Sequence, residues 1–306
     1  MCLSPAIIIS IPIGSVTEFS HFKNEEYMTE IKYGLTIPYM DARKTAELAK
    51  VAEDTGWDGV FVGDAIWTQD PMICLTAAAM TTRRIRLGTM IIPVPLRKPW
   101  KIASESLALD HLSGGRLTLG LGMGAVWMGW KAFPDEVTDT KARAEMLDET
   151  IEILTRLYQR EPFDYEGKHF HLKLTQMEVM HYPPKPVQQP RIPLWAVGVW
   201  PRMQSMRRTL KCDGILPAKM NAEGKFEDLT PADVREIKAF VDRERGADGS
   251  HPFDIVVEGK TFGLSAAEKA EKLAAWSEAG ATWWIEGMWG ENEERVTEII
   301  RGGPPR

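Results

Sequence analysis

Ile85-Arg86-Leu87-Gly88-Thr89-Met90-Ile91-Ile92, then residues 99–112, then Arg116-Leu117-Thr118-Leu119-Gly120-Leu121-Gly122, is the stretch that decides the fold. The first and third pieces are short runs of apolar and β-branched residues, the composition of strands. The piece between them has the length and composition of a helix. Strand, helix, strand is the repeating unit of a parallel sheet covered by helices.

Working outward, the same alternation continues in both directions. Upstream, Lys32–Ile37 reads as a first strand stopped by Pro38. Asp41 caps a helix to about Thr55, with Leu48, Val51 and Ala52 at helical spacing. Gly59–Gly63 is a second strand, and Asp70 caps a second helix. Downstream, helices are expected at 140–159, 203–210, 231–245, 265–278 and 291–301. Strands five to eight are expected at 192–198, 213–217, 253–258 and 282–286. Eight of each in alternation is the count of an α/β chain closed into a single (β/α)₈ TIM barrel.

Two segments exceed a minimal connection. Residues 125–138, rich in Trp and Gly, follow strand four. Residues 161–190 precede strand five and hold a hairpin around Glu166-Gly167 and a Pro-rich return. Insertions of this size in a compact domain are usually functional.

The 306 residues would suffice for two average domains, but α/β barrels run to this length as one. We expect one domain over 28–306, with 1–27 an N-terminal extension or an upstream, mis-assigned start before Met28. Residues 5–13, PAIIISIPI, imitate a signal-peptide core, yet no Lys or Arg precedes them and no clean cleavage site follows. No stretch approaches the roughly 18 apolar residues of a membrane span. The net charge of −6 offers no footprint for nucleic acid. Three cysteines without a Cys-x-x-Cys pair fit reduced thiols, hence a cytoplasmic setting.

The active face of such a barrel is the carboxyl end of its strands. That places Tyr39, Asp64, Trp67, Met90-Ile91, Gly122-Met123-Gly124, Gly198–Arg202, Lys219, Lys260 and Trp289 on one rim. Gly120-x-Gly122-x-Gly124 lets backbone approach a flat ring or a phosphate, although a run of packing glycines would read the same. Gly198-Val199-Trp200-Pro201-Arg202 leads into a helix whose N–H groups favour an anion, with Arg202 near its start. Arg207 and Arg208, a turn further on, are expected at the surface. Tyr39, Trp67, Trp127 and Trp289 would wall a pocket for an apolar substrate. His169 and His171 lie at i, i+2 of one expected strand, but no third ligand declares itself, so no metal is assigned.

These stretches resemble the bacterial-luciferase-like family, which holds FMN-dependent monooxygenases and F420-dependent oxidoreductases. Arg86-Leu87-Gly88-Thr89 through Pro93, Pro95 and Pro99 carries one part of the resemblance. Leu109-Asp110 and Leu112-Ser113-Gly114-Gly115-Arg116 through Gly124 carry the next, and Pro184–Pro193 a further one. The resemblance implies a non-prolyl cis peptide at Met90-Ile91 beneath the cofactor ring. It also implies a cofactor phosphate near the loops after strands four and five. Where the bacterial luciferase α subunit has an arginine, this chain has Met123, so Arg202 and the backbone of 200–203 are assigned that contact. Several members carry a histidine after strand two, where this chain has Ala65. Asp64 could replace it as the catalytic group, or could cap a helix.

The family resemblance further implies reduced FMN with O₂, possible service by a separate flavin reductase, and a homodimer. F420 with hydride transfer is the alternative. A non-catalytic flavin-binding barrel is a second one, given Ala65. A barrel hydrolase or aldolase lacks a convincing carboxylate, lysine or metal constellation.

Overall fold

The computed structural model describes residues 31–178, 182–246 and 252–306. The extension expected over 1–27 lies outside the described residues. Eight parallel strands close into a barrel. They are β1 (Lys32–Ile37), β2 (Gly59–Val62), β3 (Arg86–Thr89) with its continuation β4 (Ile92–Pro93), β5 (Leu117–Gly122), β8 (Leu194–Trp200), β9 (Gly214–Met220), β11 (Asp254–Gly259) and β12 (Trp283–Glu286). Closure is by parallel pairing of β1 with β12, with Lys32 opposite Trp283 and Leu35 opposite Glu286.

Helices α1 (Ala42–Asp54), α2 (Pro71–Thr81), α3 (Pro99–Ser113), α4 (Thr140–Gln159), α5 (Met203–Thr209), α6 (Pro231–Arg245), α7 (Ala266–Glu278) and α8 (Glu293–Arg301) cover the outside. The caps follow from the sequence: Asp41 accepts from Lys44 N and Asp70 from Ile73 N. Capping boxes open α6 and α7 at Thr230/Asp233 and Ser265/Glu268.

The barrel has two apolar layers. Outside the staves, leucines and isoleucines of the helices pack on alternate strand residues. Inside, Phe61, Trp195, Leu216, Val256, Trp283 and Ile285 fill the lower half. Phe61 lies 5.3 Å from Trp195 and 5.8 Å from Trp283, ring centre to ring centre. A side chain at Gly88 would meet the Phe61 ring at 2.5 Å, so that glycine makes the aromatic plug fit.

Three details depart from the sequence reading. Strand three is not continuous: β3 ends at Thr89 and pairing resumes only at Ile92, opposite Leu121. Strand six runs on to Met220 and pairs antiparallel with a short β10 (Phe226–Glu227) at the rim. The expected hairpin exists as β6 (Asp164–Glu166) and β7 (His171–Lys173). His169, however, sits in its turn and bonds Glu145 at 2.9 Å, so it does not share a strand face with His171. That hairpin is held to α4 by Glu149, whose carboxylate accepts the N–H groups of Lys168, His169 and Phe170. Among the described residues, no helix is long and apolar enough to cross a membrane.

Candidate active site

The break in strand three is made by a cis peptide between Met90 and Ile91, as the family resemblance implied. Met90 N still donates to Val62 O at 2.7 Å, which anchors the entry to the break. Thr89 Oγ1 bonds both the N–H and the carbonyl of Gly120 and ties β3 to β5 beneath it. Ile91 is turned toward β5. A Cβ at Gly122 would stand 2.5 Å from Ile91 Cδ1 and 3.2 Å from Val197, so Gly122 leaves the room that Ile91 occupies.

Above this bulge lies a cavity of about 720 Å³ at the carboxyl ends of the strands. Its floor is apolar: Met90, Ile91, Val197, Val199, Leu216 and Val256. Met123 and Gly124 form one side, and Tyr39, Asp64 and Trp289 the opposite side. Arg143 of α4 fixes the Met123-Gly124 turn, donating to both carbonyls at 3.0 and 2.9 Å. Trp127 stands at the rim, 85% exposed.

Asp64 is nearly buried and receives Arg97 Nε at 2.8 Å, while Arg97 Nη2 reaches Asp70 at 2.8 Å. Burial pushes the Asp64 pKa up and the guanidinium pulls against it. Asp64 does not cap α2; Asp70 does. Tyr39, 5.8 Å from Trp289 between ring centres, has its hydroxyl pKa raised by burial and then by Asp64.

The structure thus brings Tyr39, Asp64, Met90, Ile91, Met123, Gly124, Trp127, Val199 and Trp289 together around one space, with Gly122 behind Ile91. It does not bring the rest there. Gly198 faces the helix layer, where a Cβ would meet Ile215 at 2.5 Å. Trp200 points outward and packs on Phe240, ring centres 6.3 Å apart. Trp67 is 87% exposed and outside the cavity wall. Arg202 is exposed and donates to the Asn221 carbonyl at 3.1 Å, away from the cavity.

The cation that does line the cavity beside β8 is Arg208, expected at the surface but buried. It is held by Asp148 of α4 at 2.6 and 3.0 Å. Ser205 lines the same corner and accepts from Val199 N at 3.0 Å, leaving its hydroxyl proton free to donate. Lys219 also lines the cavity, paired with Asp233 at 3.1 Å, whereas Lys260 turns toward Glu291. The sequence signal for Arg208 was weak. Only the phase of α5, with Met206 and Thr209 inward, could have placed its neighbour.

One further lining group escaped the sequence reading: Glu258 of β11. Val256 points inward, and the two-residue period of a strand sends Glu258 the same way. Among the described residues, no three His, Cys, Asp or Glu side chains cluster as a metal site would require.

A closed parallel barrel, broken at the end of its third strand and open above the break on an apolar cavity, defines an oxidoreductase barrel of the luciferase-like class. The chain belongs to the luciferase-like monooxygenase family, whose profile matches residues 15–301. It is 35% identical, over 89% of this chain and 82% of the relative, to a Mycobacterium tuberculosis protein classed by inference as a coenzyme F420-dependent oxidoreductase. It is 23% identical to the oxygenase component of a flavin-dependent trigonelline monooxygenase from Acinetobacter baylyi, over 82% of this chain and 67% of that one. The fold is also that of the F420-dependent tetrahydromethanopterin reductase of Methanopyrus kandleri. The TM-score there is 0.66, with 20% identity, over 89% of this chain and 97% of the other. The protein is therefore a luciferase-like oxidoreductase, of a family whose members use FMN or F420.

Proposed function

We propose that this chain uses F420 and exchanges hydride between the deazaflavin and a small, largely apolar organic substrate. The observation that carries the reading is the Met90–Ile91 bulge facing the apolar-floored cavity. The end-to-end likeness to the mycobacterial relative favours F420 over FMN. The residues present fit such a cofactor. Met90, Ile91, Met123 and Gly124 line the apolar space above the bulge, and Arg208 with Ser205 offers a phosphate a guanidinium and a hydroxyl.

When bound, the deazaflavin accepts or supplies the hydride. The chain's own part is to hold, orient and dry the reactants. Met90 and Ile91 would support one ring face. Tyr39, Trp127 and Trp289 would wall the substrate from water. Asp64, locked by Arg97, would fix the side opposite Met123.

A second reading, reduced FMN with O₂ and a separate reductase, is favoured by the likeness to the trigonelline oxygenase component. Parallel titrations with F420 and FMN, followed by quenching of cofactor fluorescence, separate the two. F420 binding at least tenfold tighter than FMN is expected, and the reverse order would replace the first reading with the second. We also expect a homodimer. Helix α2 is apolar on all sides, with Ile73 and Met80 left 63% and 61% exposed. Sedimentation of the Ile73→Lys/Met80→Lys variant as a monomer, against a dimeric parent, checks this.

A further inference from the structure

We propose that Glu258, and not Asp64, is the acid/base of this barrel. In this role it exchanges a proton with the oxygen of an alcohol or carbonyl substrate as hydride moves at the adjoining carbon. This inference rests on the F420 reading above.

The first argument is geometry. Glu258 is on the inward face of β11, one residue short of the strand's end, and lines the cavity. Room for its carboxylate is made by Gly287 across the β11–β12 seam, where a Cβ would stand 2.6 Å from Oε1. Oε1 accepts the indole N–H of Trp289. The far edge of the same indole reaches β2, since a Cβ at Gly63 would meet its Cη2 at 3.0 Å. Trp289 therefore lies across four staves, from Glu258 to the residue before Asp64, and Tyr39 leans on it. A bound substrate on this side meets both carboxylates along one aromatic wall.

The second argument separates those two carboxylates. Asp64 has a guanidinium at 2.8 Å on one carboxylate oxygen, an ion pair that a substrate proton would have to disturb. Glu258 has a neutral donor on one oxygen and leaves Oε2 to the cavity. Among the described residues no cation forms an ion pair with it: Lys260, two residues on and just past the end of β11, bonds Glu291 at 3.4 Å. Lys219, on the neighbouring strand β9, is held by Asp233. On β12, Glu286 points the other way, into the Thr261-Phe262 turn and Trp284 Nε1. Partial desolvation by the cavity wall raises the Glu258 pKa, against the opposing effects of Trp289 and Lys260, while the side chain stays open to solvent at the cavity mouth. A carboxyl that holds its proton more tightly than usual, with one oxygen free of a cation, is suited to general acid–base work.

The step balances as follows. In oxidation, the substrate O–H bond breaks and its proton goes to Glu258 Oε2. The electron pair of that bond becomes the new C–O π bond. Hydride, carrying two electrons, leaves the carbon for the oxidised deazaflavin, which is reduced. Glu258 then releases its proton to water through the open mouth of the cavity. In reduction, protonated Glu258 gives its proton to the carbonyl oxygen as the carbon takes hydride from the reduced deazaflavin.

The test uses Glu258→Gln, which preserves size and an acceptor for Trp289, and Trp289→Phe, which removes the donor. Ligand-free protein is titrated by infrared difference spectroscopy. The wild type should show a protonated-carboxyl band that persists above the ordinary carboxylate range. The band should be absent from Glu258→Gln and should persist to higher pH in Trp289→Phe. With F420 bound, wild type is then assayed on cyclohexanol, 2-butanol and their ketones. Glu258→Gln should lose at least a hundredfold in kcat/KM and its Glu258-dependent pH limb, with F420 affinity within twofold of wild type. Absence of the band overturns the proposal, as does unchanged turnover by Glu258→Gln. Lack of turnover of every alcohol and ketone by F420-loaded wild type overturns the substrate class. Failure of wild type to bind F420 overturns the cofactor reading instead, whatever the infrared titration shows.

Discussion

Thr89 Oγ1 accepts a hydrogen bond from Gly120 N at 2.9 Å and donates one to Gly120 O at 3.1 Å. One hydroxyl thereby joins two strands at the level where β3 stops. Thr89→Val keeps the shape and removes both bonds, leaving a buried N–H and a buried carbonyl without that partner. We expect a loss of about 2–3 kcal/mol in stability, read by urea denaturation, and weaker F420 binding because the Met90–Ile91 segment loses its anchor. Thr89→Ser retains both bonds and should recover most of the binding. Equal cofactor affinity in Thr89→Val and wild type would show that the seam is irrelevant to the ring site.

Glu53 performs a comparable service outside the barrel. Its Oε2 accepts the N–H groups of Arg83, Arg84 and Ile85 at 2.9, 2.6 and 3.0 Å, fixing the turn that delivers the chain into β3. Burial alone would raise its pKa, but these three donors and the Arg84 charge bring it below the ordinary 4.5. A carboxylate with a depressed pKa stabilises the fold fully above its unfolded pKa. That contribution is lost as the pH falls through the lower, folded value. Glu53→Gln should cost roughly 2 kcal/mol at neutral pH. It should also remove part of the acid sensitivity below pH 4.5, both measurable as thermal midpoints across pH.

Arg202 and Arg208 should differ sharply. Arg202 reaches only the Asn221 carbonyl and is exposed, so Arg202→Ala should leave cofactor affinity within twofold. Arg208 is buried against Asp148 beside Ser205 at the cavity. Arg208→Lys preserves the charge opposite Asp148 but loses the planar fork. F420 affinity should fall about tenfold (roughly 1.4 kcal/mol), with folding retained on circular dichroism. A large effect at Arg202 with none at Arg208 would place the phosphate elsewhere.

Trp127 stands on the rim with 85% of its surface exposed, and Trp67 beyond it with 87%. Neither has packing to lose, so alanine at either should change stability by less than about 0.5 kcal/mol. Trp127→Ala should raise KM severalfold with kcat little changed, because Trp127 lines the cavity mouth. Trp67→Ala should leave both constants alone. Steady-state kinetics on the best alcohol or ketone reads both.

The barrel was legible because strand and helix periods alternate along the whole described chain. Asp41, Asp70 and the Thr230-Pro231 start were legible because a cap is a local event within four residues. The discontinuity at Met90–Ile91 has no local signal, and only the family resemblance pointed to it. The site was half legible for a related reason. Strand ends can be counted, so Tyr39, Asp64, Met123 and Trp289 were found. Which way a side chain turns after the strand depends on contacts from other elements. Asp148 pulls Arg208 inward from α4, and Asn221 draws Arg202 outward from the β9–β10 turn. Glu258 was legible in principle, two residues beyond inward Val256, but the reading stopped at Lys260 as the nearest charge.

Trp289 follows β12, the last stave, and rests on groups carried by β2 and β11. A nascent chain therefore lacks this wall until the last stave has been made. Cofactor capture by the complete cavity must follow closure of the ring of strands. Added cofactor would then protect the finished protein from unfolding while doing little to speed its assembly.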